Sequence, residues 1–277
     1  MFFASQKTLP ITCQFINSST HQPVNPSTHR YLRYFFHIAY KGTNYRGWQR
    51  QPNAISVQET IENEVNRLLK TNIFIVGCGR TDAGVHASQF LFHLDVKNDW
   101  QGDLKFKLNK ALPDDIAVYD IIRVDDKAHA QFHATERTYD YHIHTRKIPF
   151  LSEISSLYEE KIDPEKMKIA AAILTQYQDF RAFCKTPDKH NNTICHIKST
   201  ELFVDESGEK IHFQITSNRF LRGMIRIIVD RLVEVGKGNW SIDKFEYHLN
   251  SKERPQFTNF APPQGLFLSK VVYPFIR

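Results

Sequence analysis

Gly79-Arg80-Thr81-Asp82-Ala83-Gly84-Val85-His86-Ala87 lies between two runs of strand-like composition. Ile73, Phe74, Ile75 and Val76 lead in, and the alternating Phe90, Phe92, Leu94 and Val96 lead out. Two strands joined by a Gly-rich turn lift Asp82 out of the sheet, beside Arg80. A carboxylate next to a guanidinium is favoured in its charged form, as a nucleophilic or basic Asp requires. Asp and Gly are also ordinary turn residues, so residue chemistry alone leaves a turn-capping role for Asp82 open, and that role is the commoner one.

Upstream, Tyr31–Tyr40 reads as a strand and Lys41–Ile55 as a loop. Ser56 and Glu59 then form a Ser-x-x-Glu capping box, with Val57, Ile61, Val65, Leu68 and Leu69 on one helical face. Downstream, Asp103 caps a short helix ending before Pro113, and Ile116–Val124 is a strand. The order strand, helix, strand, strand, helix, strand is the split βαβ, or ferredoxin-like, sequence of elements. The second half repeats the theme. Ala134–Thr145 alternates, with Thr135, Arg137, Tyr139, Tyr141 and Ile143 on one face. Asp163-Pro164 opens a helix, and two strands follow at Thr193–Val204 and Lys210–Ser217. A long helix runs to Gly236, Ser241 caps another, and Leu266–Tyr273 is a final strand.

The expected fold is α+β: two ferredoxin-like subdomains with joined, mainly antiparallel sheets flanked by helices, and a cleft between them. The expected boundaries are 31–133 for the N-terminal subdomain carrying Asp82 and 134–277 for the C-terminal one. Residues 1–30 hold no acidic residue, three prolines and many polar residues, and read as a disordered leader or an over-called start. A transit peptide is a weaker reading, because such segments usually carry more Arg on an amphipathic helix.

The chain has 277 residues, 41% of them hydrophobic and 24% charged, which is the balance of an ordinary globular protein. No apolar run is long enough to span a bilayer. A net charge of +6 makes an anionic partner plausible through a local basic patch. Cys13, Cys78, Cys184 and Cys195 are scattered without a Cys-x-x-Cys pair. That spacing argues against a zinc ribbon or a disulfide framework and for a reducing compartment, the cytoplasm. His86, His93, His142 and His144 make a metal site conceivable, but no helical His-x-x-x-His pairs with a Glu and no Cys joins them. We therefore expect no metal and no cofactor. Neither a dinucleotide fingerprint nor a P-loop is present.

The stretch around Asp82 resembles the catalytic motif of the tRNA pseudouridine synthase A family, and four further segments resemble the same family. Tyr40-Lys41-Gly42 with Gly47-Trp48-Gln49-Arg50-Gln51 is similar to its N-terminal loop. Read physically, this is a Gly-hinged loop offering Arg46 and Arg50 to phosphates, or a structural loop packed by Trp48. Arg137-Thr138-Tyr139-Asp140-Tyr141 resembles the family's Arg-x-Tyr-x-Tyr strand; by alternation alone both tyrosines are core residues. Met224-Ile225-Arg226 resembles its Met-Val-Arg segment, and Arg219, Arg222 and Arg226 are spaced to line one helical face. Ala261-Pro262-Pro263-Gln264-Gly265-Leu266 resembles its Ala-Pro-x-x-Gly-Leu.

The resemblance implies a tRNA pseudouridine synthase that isomerises uridine in the anticodon stem-loop, at tRNA positions 38, 39 and 40, and acts as a homodimer. Asp82 is then the catalytic residue and Arg226 its orienting partner. Tyr139 stacks on the target base, with Leu266 on the base's other side. Arg80 fills the vacated stack, and Arg46, Arg50, Arg219 and Arg222 contact the RNA. The residues do not choose whether Asp82 attacks the base, attacks the sugar or removes a sugar proton. Two departures stand out, Gln131 in place of an Arg and Asp230 in place of a frequent Gly. The competing functions are a catalytically inactive tRNA-binding or tRNA-folding protein on the same scaffold and a metal-dependent hydrolase using the histidines.

Overall fold

The computed structural model describes residues 31–255 and 259–276, so the reading of residues 1–30 lies outside the described residues. Among those described, the elements run β1 (Leu32–Tyr40), α1 (Val57–Leu69), β2 (Val76–Gly77), β3 (His86–Val96), α2 (Leu104–Ala111) and β4 (Ile116–Arg123). They continue with β5 (Glu136–His144), β6 (Ser156–Leu157), α3 (Pro164–Ile173), β7 (Ile197–Val204) and β8 (Lys210–Ser217). The chain then closes with α4 (Met224–Gly236), α5 (Ile242–Ser251) and β9 (Leu266–Val272). The strands form one sheet in the order β4-β1-β3-β9-β5-β8-β7, with β2 added to β3 and β6 to β5. Most neighbours are antiparallel; β3 with β9 and β5 with β6 are parallel.

Local chemistry explains where the helices begin. Ser56, Asp103, Asp163 and Ser241 each accept a hydrogen bond from a backbone N–H in the first turn that follows. The apolar faces build two core clusters. One gathers Val57, Ile61 and Val65 of α1 with Phe36, Phe90 and Phe92, and Trp48 stacks on Phe90 at 4.1 Å. The other gathers Ile227, Ile228 and Leu232 of α4 with Tyr141 and Phe213. Tyr139 packs against both clusters.

The strand expected at Ile73–Val76 is reduced to Val76–Gly77. The residues before it join no strand, and α1 takes up their backbone groups. Asn66 accepts from Ile73 N at 2.6 Å and donates to Ile73 O at 2.9 Å. Glu62 accepts from Ile75 N at 3.0 Å, and Gln58 donates to Ile75 O at 3.1 Å. Gln58, Glu62 and Asn66 recur every four residues along one helix face, so the helix supplies the hydrogen bonds that a further strand would have made. Strand β3 also departs from its alternating pattern and is buried almost throughout. Segment 125–133 covers its second face, where Ala130 N donates to His93 Nδ1 at 3.1 Å.

The loop Lys41–Ile55 folds directly beneath the Gly79–Ala87 stretch. Gly84 N donates to Tyr45 O at 3.2 Å, and Trp48 N donates to Thr81 O at 3.2 Å. Tyr40 and Thr81 hydroxyls are 2.9 Å apart in the interior. Glycine is required where the two loops touch. A Cβ on Gly47, whose φ is +92°, would lie 2.4 Å from Thr81 O. Gly208, at φ +73°, has nothing within 4 Å of a Cβ.

Two outcomes follow for stability. Gly208→Ala is expected to cost about 1 kcal/mol, the penalty of the left-handed backbone alone, and Gly47→Ala at least about twice that, because strain and overlap add. Urea unfolding of both variants checks the ranking, and equal costs would refute the contact. His93 is buried, and burial together with the nearby Arg33 pushes its imidazole down to about 4. Because the folded state holds it neutral, its contribution is complete above pH 6.5 and is lost as pH falls towards 4, about 3 kcal/mol in all. His93→Asn keeps an acceptor for Ala130 N without a proton to gain. Unfolding titrations across this range should show a shallower acid decline in the variant; an unchanged decline would contradict it.

Candidate active site

Five chain segments meet around Asp82, and backbone carbonyls do much of the joining. The parallel register His86↔Phe267 and Ala87↔Leu268 sets the starts of β3 and β9 at the same end of the sheet. The loops preceding those strands are therefore neighbours. His86 Nε2 is 3.1 Å from Gln264 O, and its Nδ1 accepts from Gly42 N at 2.9 Å. A Cβ on Gly84 would meet the ring of Pro263 at 3.0 Å. Strand β5 lies antiparallel on the far side of β9, with Tyr139↔Leu268 and Tyr141↔Leu266, which brings the aromatic strand to the same place.

The Asp82 side chain is 39% exposed, and Arg226 Nη1 lies 3.6 Å from its Oδ2. Arg226 is held on its other sides as well. Its Nε donates to Ala261 O at 2.6 Å, Ala261 N returns a bond to Arg226 O at 3.0 Å, and the guanidinium lies 5.5 Å from the Phe260 ring centre. The expected pairing of Asp82 with Arg80 is not what forms. Among the described residues Arg80 makes no ion pair, and its side chain is exposed on the loop. Arg80 stands two residues from Asp82 on the same loop, and the carboxylate faces Arg226 instead.

Tyr139 sits beside this pair, its ring edge-on to Phe220 at 5.2 Å. Burial pushes its hydroxyl well above the ordinary phenol range, so the ring is a neutral surface at physiological pH. Tyr141 is the core tyrosine of the pair, fully buried, and its hydroxyl donates to Pro262 O at 2.8 Å. Leu266 is 6% exposed within the same cluster, the core position that its sequence left open.

The helical stripe of three arginines is not formed. Helix α4 starts at Met224, and its N-cap Gly223 has a φ of +70°. The Phe260 ring occupies the place of a Cβ there, at 2.7 Å, and Lys185 N draws Arg222 O away at 2.9 Å. Arg219 and Arg222 therefore lie on the irregular approach to the helix, and only Arg226 is in its first turn. Arg46 is exposed on the supporting loop, whereas Arg50 is engaged with Glu59 at 3.3 Å and Glu62 at 3.6 Å. Of the two readings of that loop, the packed one is observed at Trp48, which is 2% exposed.

Sequence reasoning missed Phe260, Phe220 and Thr81 as supports. Nothing in the sequence marks Phe220 as the ring against Tyr139 or Phe260 as the ring over Arg226. Among the described residues no group of three His, Cys, Asp or Glu side chains is placed to hold a metal ion. His142 instead stacks on His212 at 4.7 Å, and His144 Nδ1 lies 2.9 Å from Ser155 Oγ. Cys78, Cys184 and Cys195 are buried free thiols, and burial pushes Cys78 up to about 11. No described helix is long and apolar enough to cross a membrane.

A family model described as tRNA pseudouridine synthase matches residues 170–274. The tRNA pseudouridine synthase A of Parabacteroides distasonis is 44% identical over 250 residues, covering 87% of this chain and 96% of that protein. That of Porphyromonas gingivalis is 42% identical over 248 residues, covering 87% and 97%. A more distant relative of the same name, from Clostridium kluyveri, is 38% identical over 239 residues, covering 85% and 97%. Identity at this level along almost the whole of each relative places the chain in the tRNA pseudouridine synthase A family.

Proposed function

We propose that this enzyme isomerises uridine to pseudouridine in the anticodon stem-loop of tRNA, at positions 38, 39 and 40, with Asp82 as its catalytic residue. The observation that carries the reading is the Asp82–Arg226 pair at 3.6 Å, open to solvent on one side and flanked by Tyr139. The reaction breaks the bond from the ribose to a base nitrogen and forms one to a base carbon. A proton leaves that carbon and one is gained at the freed nitrogen, so no oxidant or energy source is consumed. An ionised carboxylate beside an immobilised guanidinium supplies the nucleophile or base, and the neutral Tyr139 ring gives the extracted uracil a surface to lie on.

A uridine within an RNA stem must leave its stack first, at a cost of a few kcal/mol. Arg80, exposed on the Asp82 loop, takes the vacated place, while Arg46, Arg219 and Arg222 reach phosphates around the opening. Arg50 contributes to the same surface through its exposed edge, and Leu266 supports the base from below. Residues 31–133 and 134–277 then act as two subdomains on either side of the cleft. A cytoplasmic homodimer, in which one tRNA touches both subunits, completes the reading.

Asp82→Asn keeps the shape and removes the charge. Incubated with uridine-labelled tRNA, it should bind within about threefold of the parent while pseudouridine formation falls at least ~1000-fold, as for loss of a group that acts directly in bond making. Parent protein that binds tRNA but makes no pseudouridine would instead establish the inactive, RNA-folding function. Tyr139→Leu should retain fold and tRNA affinity and slow turnover by about tenfold or more. Unchanged rates would return Tyr139 to a packing role.

A further inference from the structure

Arg137 carries an interaction that the mechanism above does not use. Its side chain lies on β5 two residues before Tyr139, on the same face. One guanidinium there bonds four backbone carbonyls from three separate stretches of chain. Nη2 donates to Cys78 O at 2.8 Å and to Gln131 O at 2.9 Å, and Nη1 donates to Asn218 O at 3.1 Å and to Ala134 O at 3.4 Å. Two of those stretches run straight into the site. Cys78 is the root of the loop that carries Arg80 and Asp82, and Asn218 opens the approach that carries Arg219 and Arg222 and leads into α4 with Arg226. Among the described residues no carboxylate pairs with Arg137, so its fork is spent on carbonyls alone.

We propose that Arg137 is a positioning residue that ties the Asp82 loop to the approach to α4 and thereby fixes the separation of Asp82 from Arg226. Loops have few ladder hydrogen bonds of their own, so two loops facing one another across an opening need a common fixed point. A planar fork with five donors meets several carbonyls at once; an ammonium donates from a single point and cannot span the same set. The strand beneath Arg137 is itself fixed, by Ser217 on one side and Val271 on the other, so the tie is anchored to the sheet. Gln131, one of the two departures from the family pattern, joins the tie through its backbone carbonyl, which any residue there would offer.

The inference rests on the proposed reaction for its catalytic arm, and a second arm is independent of activity. Arg137→Lys retains the charge and loses the fork. Hydrogen exchange should speed up at least about tenfold at the amides of Cys78, Gly84 and Asn218 in this variant, while the α1 amides of Ile61 and Val65 keep parent rates. Turnover on tRNA should fall about 10- to 100-fold with KM within about twofold, the cost of a misplaced reacting group. In Arg137→Ala, added methylguanidinium should restore both exchange protection and part of the turnover. Parent exchange rates at Cys78 and Asn218 in Arg137→Lys would overturn the proposal. So would a raised KM with unchanged kcat, which is the behaviour of a phosphate contact. A parent protein that makes no pseudouridine defeats the functional reading alone, and the exchange arm then decides the tie by itself.

Discussion

The parallel pairing of β3 with β9 is the constraint on which the site depends. Antiparallel neighbours place the start of one strand beside the end of the next, but parallel neighbours place both starts together. Only two residue pairs define this join, His86↔Phe267 and Ala87↔Leu268. They nevertheless force the loop before β3, with Asp82, against the loop before β9, with Ala261 to Gly265. Ala261 in turn grips Arg226 through both its carbonyl and its N–H. The register of one short seam therefore decides which carboxylate meets which guanidinium.

Helix α4 shows how local energetics yield to that arrangement. A helix start favours acidic side chains and a Ser, Thr, Asp or Asn cap. Here the cap is Gly223, the first turn has no acidic residue, and Arg226 brings a positive charge to the positive end of the dipole. Gly223 is a tolerated cap that offers no side-chain bond, and local preference opposes the arginine and the lack of an acidic residue. The contacts of Arg226 with Ala261, Asp82 and the Phe260 ring offset them, which is the pattern of a position selected for the site and not for the helix.

Much of the fold was legible because local signals and burial agree. The capping residues Ser56, Asp103, Asp163 and Ser241 each mark a real helix start, and the strand–helix order follows from periodicity. The second half keeps the strand order of the first: β9-β5-β8-β7 mirrors β4-β1-β3-β2. Errors arose where a distant partner took over local groups. Ile73 and Ile75 have β-forming side chains, yet their amides and carbonyls belong to Gln58, Glu62 and Asn66. Arg219 and Arg222 fit a helical spacing, yet Phe260 and Lys185 stop the helix short of them. At the site, the composition of the Asp82 loop and of the tyrosine strand pointed to the place where Asp82, Arg226 and Tyr139 gather. Which arginine stands against Asp82 was not legible by adjacency, because it depends on a register between strands distant in sequence, at His86 and Phe267.

The side-chain ladder from α1 has a consequence for how the protein behaves in a crowded solution. Cys78 N points inward to Leu91 O, so the odd-numbered Ile73 and Ile75 turn their backbone groups outward. A sheet margin of that kind, with exposed Phe74 beside it, invites a stray strand from another molecule to dock. Glu62 and Asn66 already occupy those groups, so the margin is sealed by a helix and not by charge or proline. Loosening the helix would uncover a sticky edge well away from the chemistry, turning a loss of order in α1 into self-association.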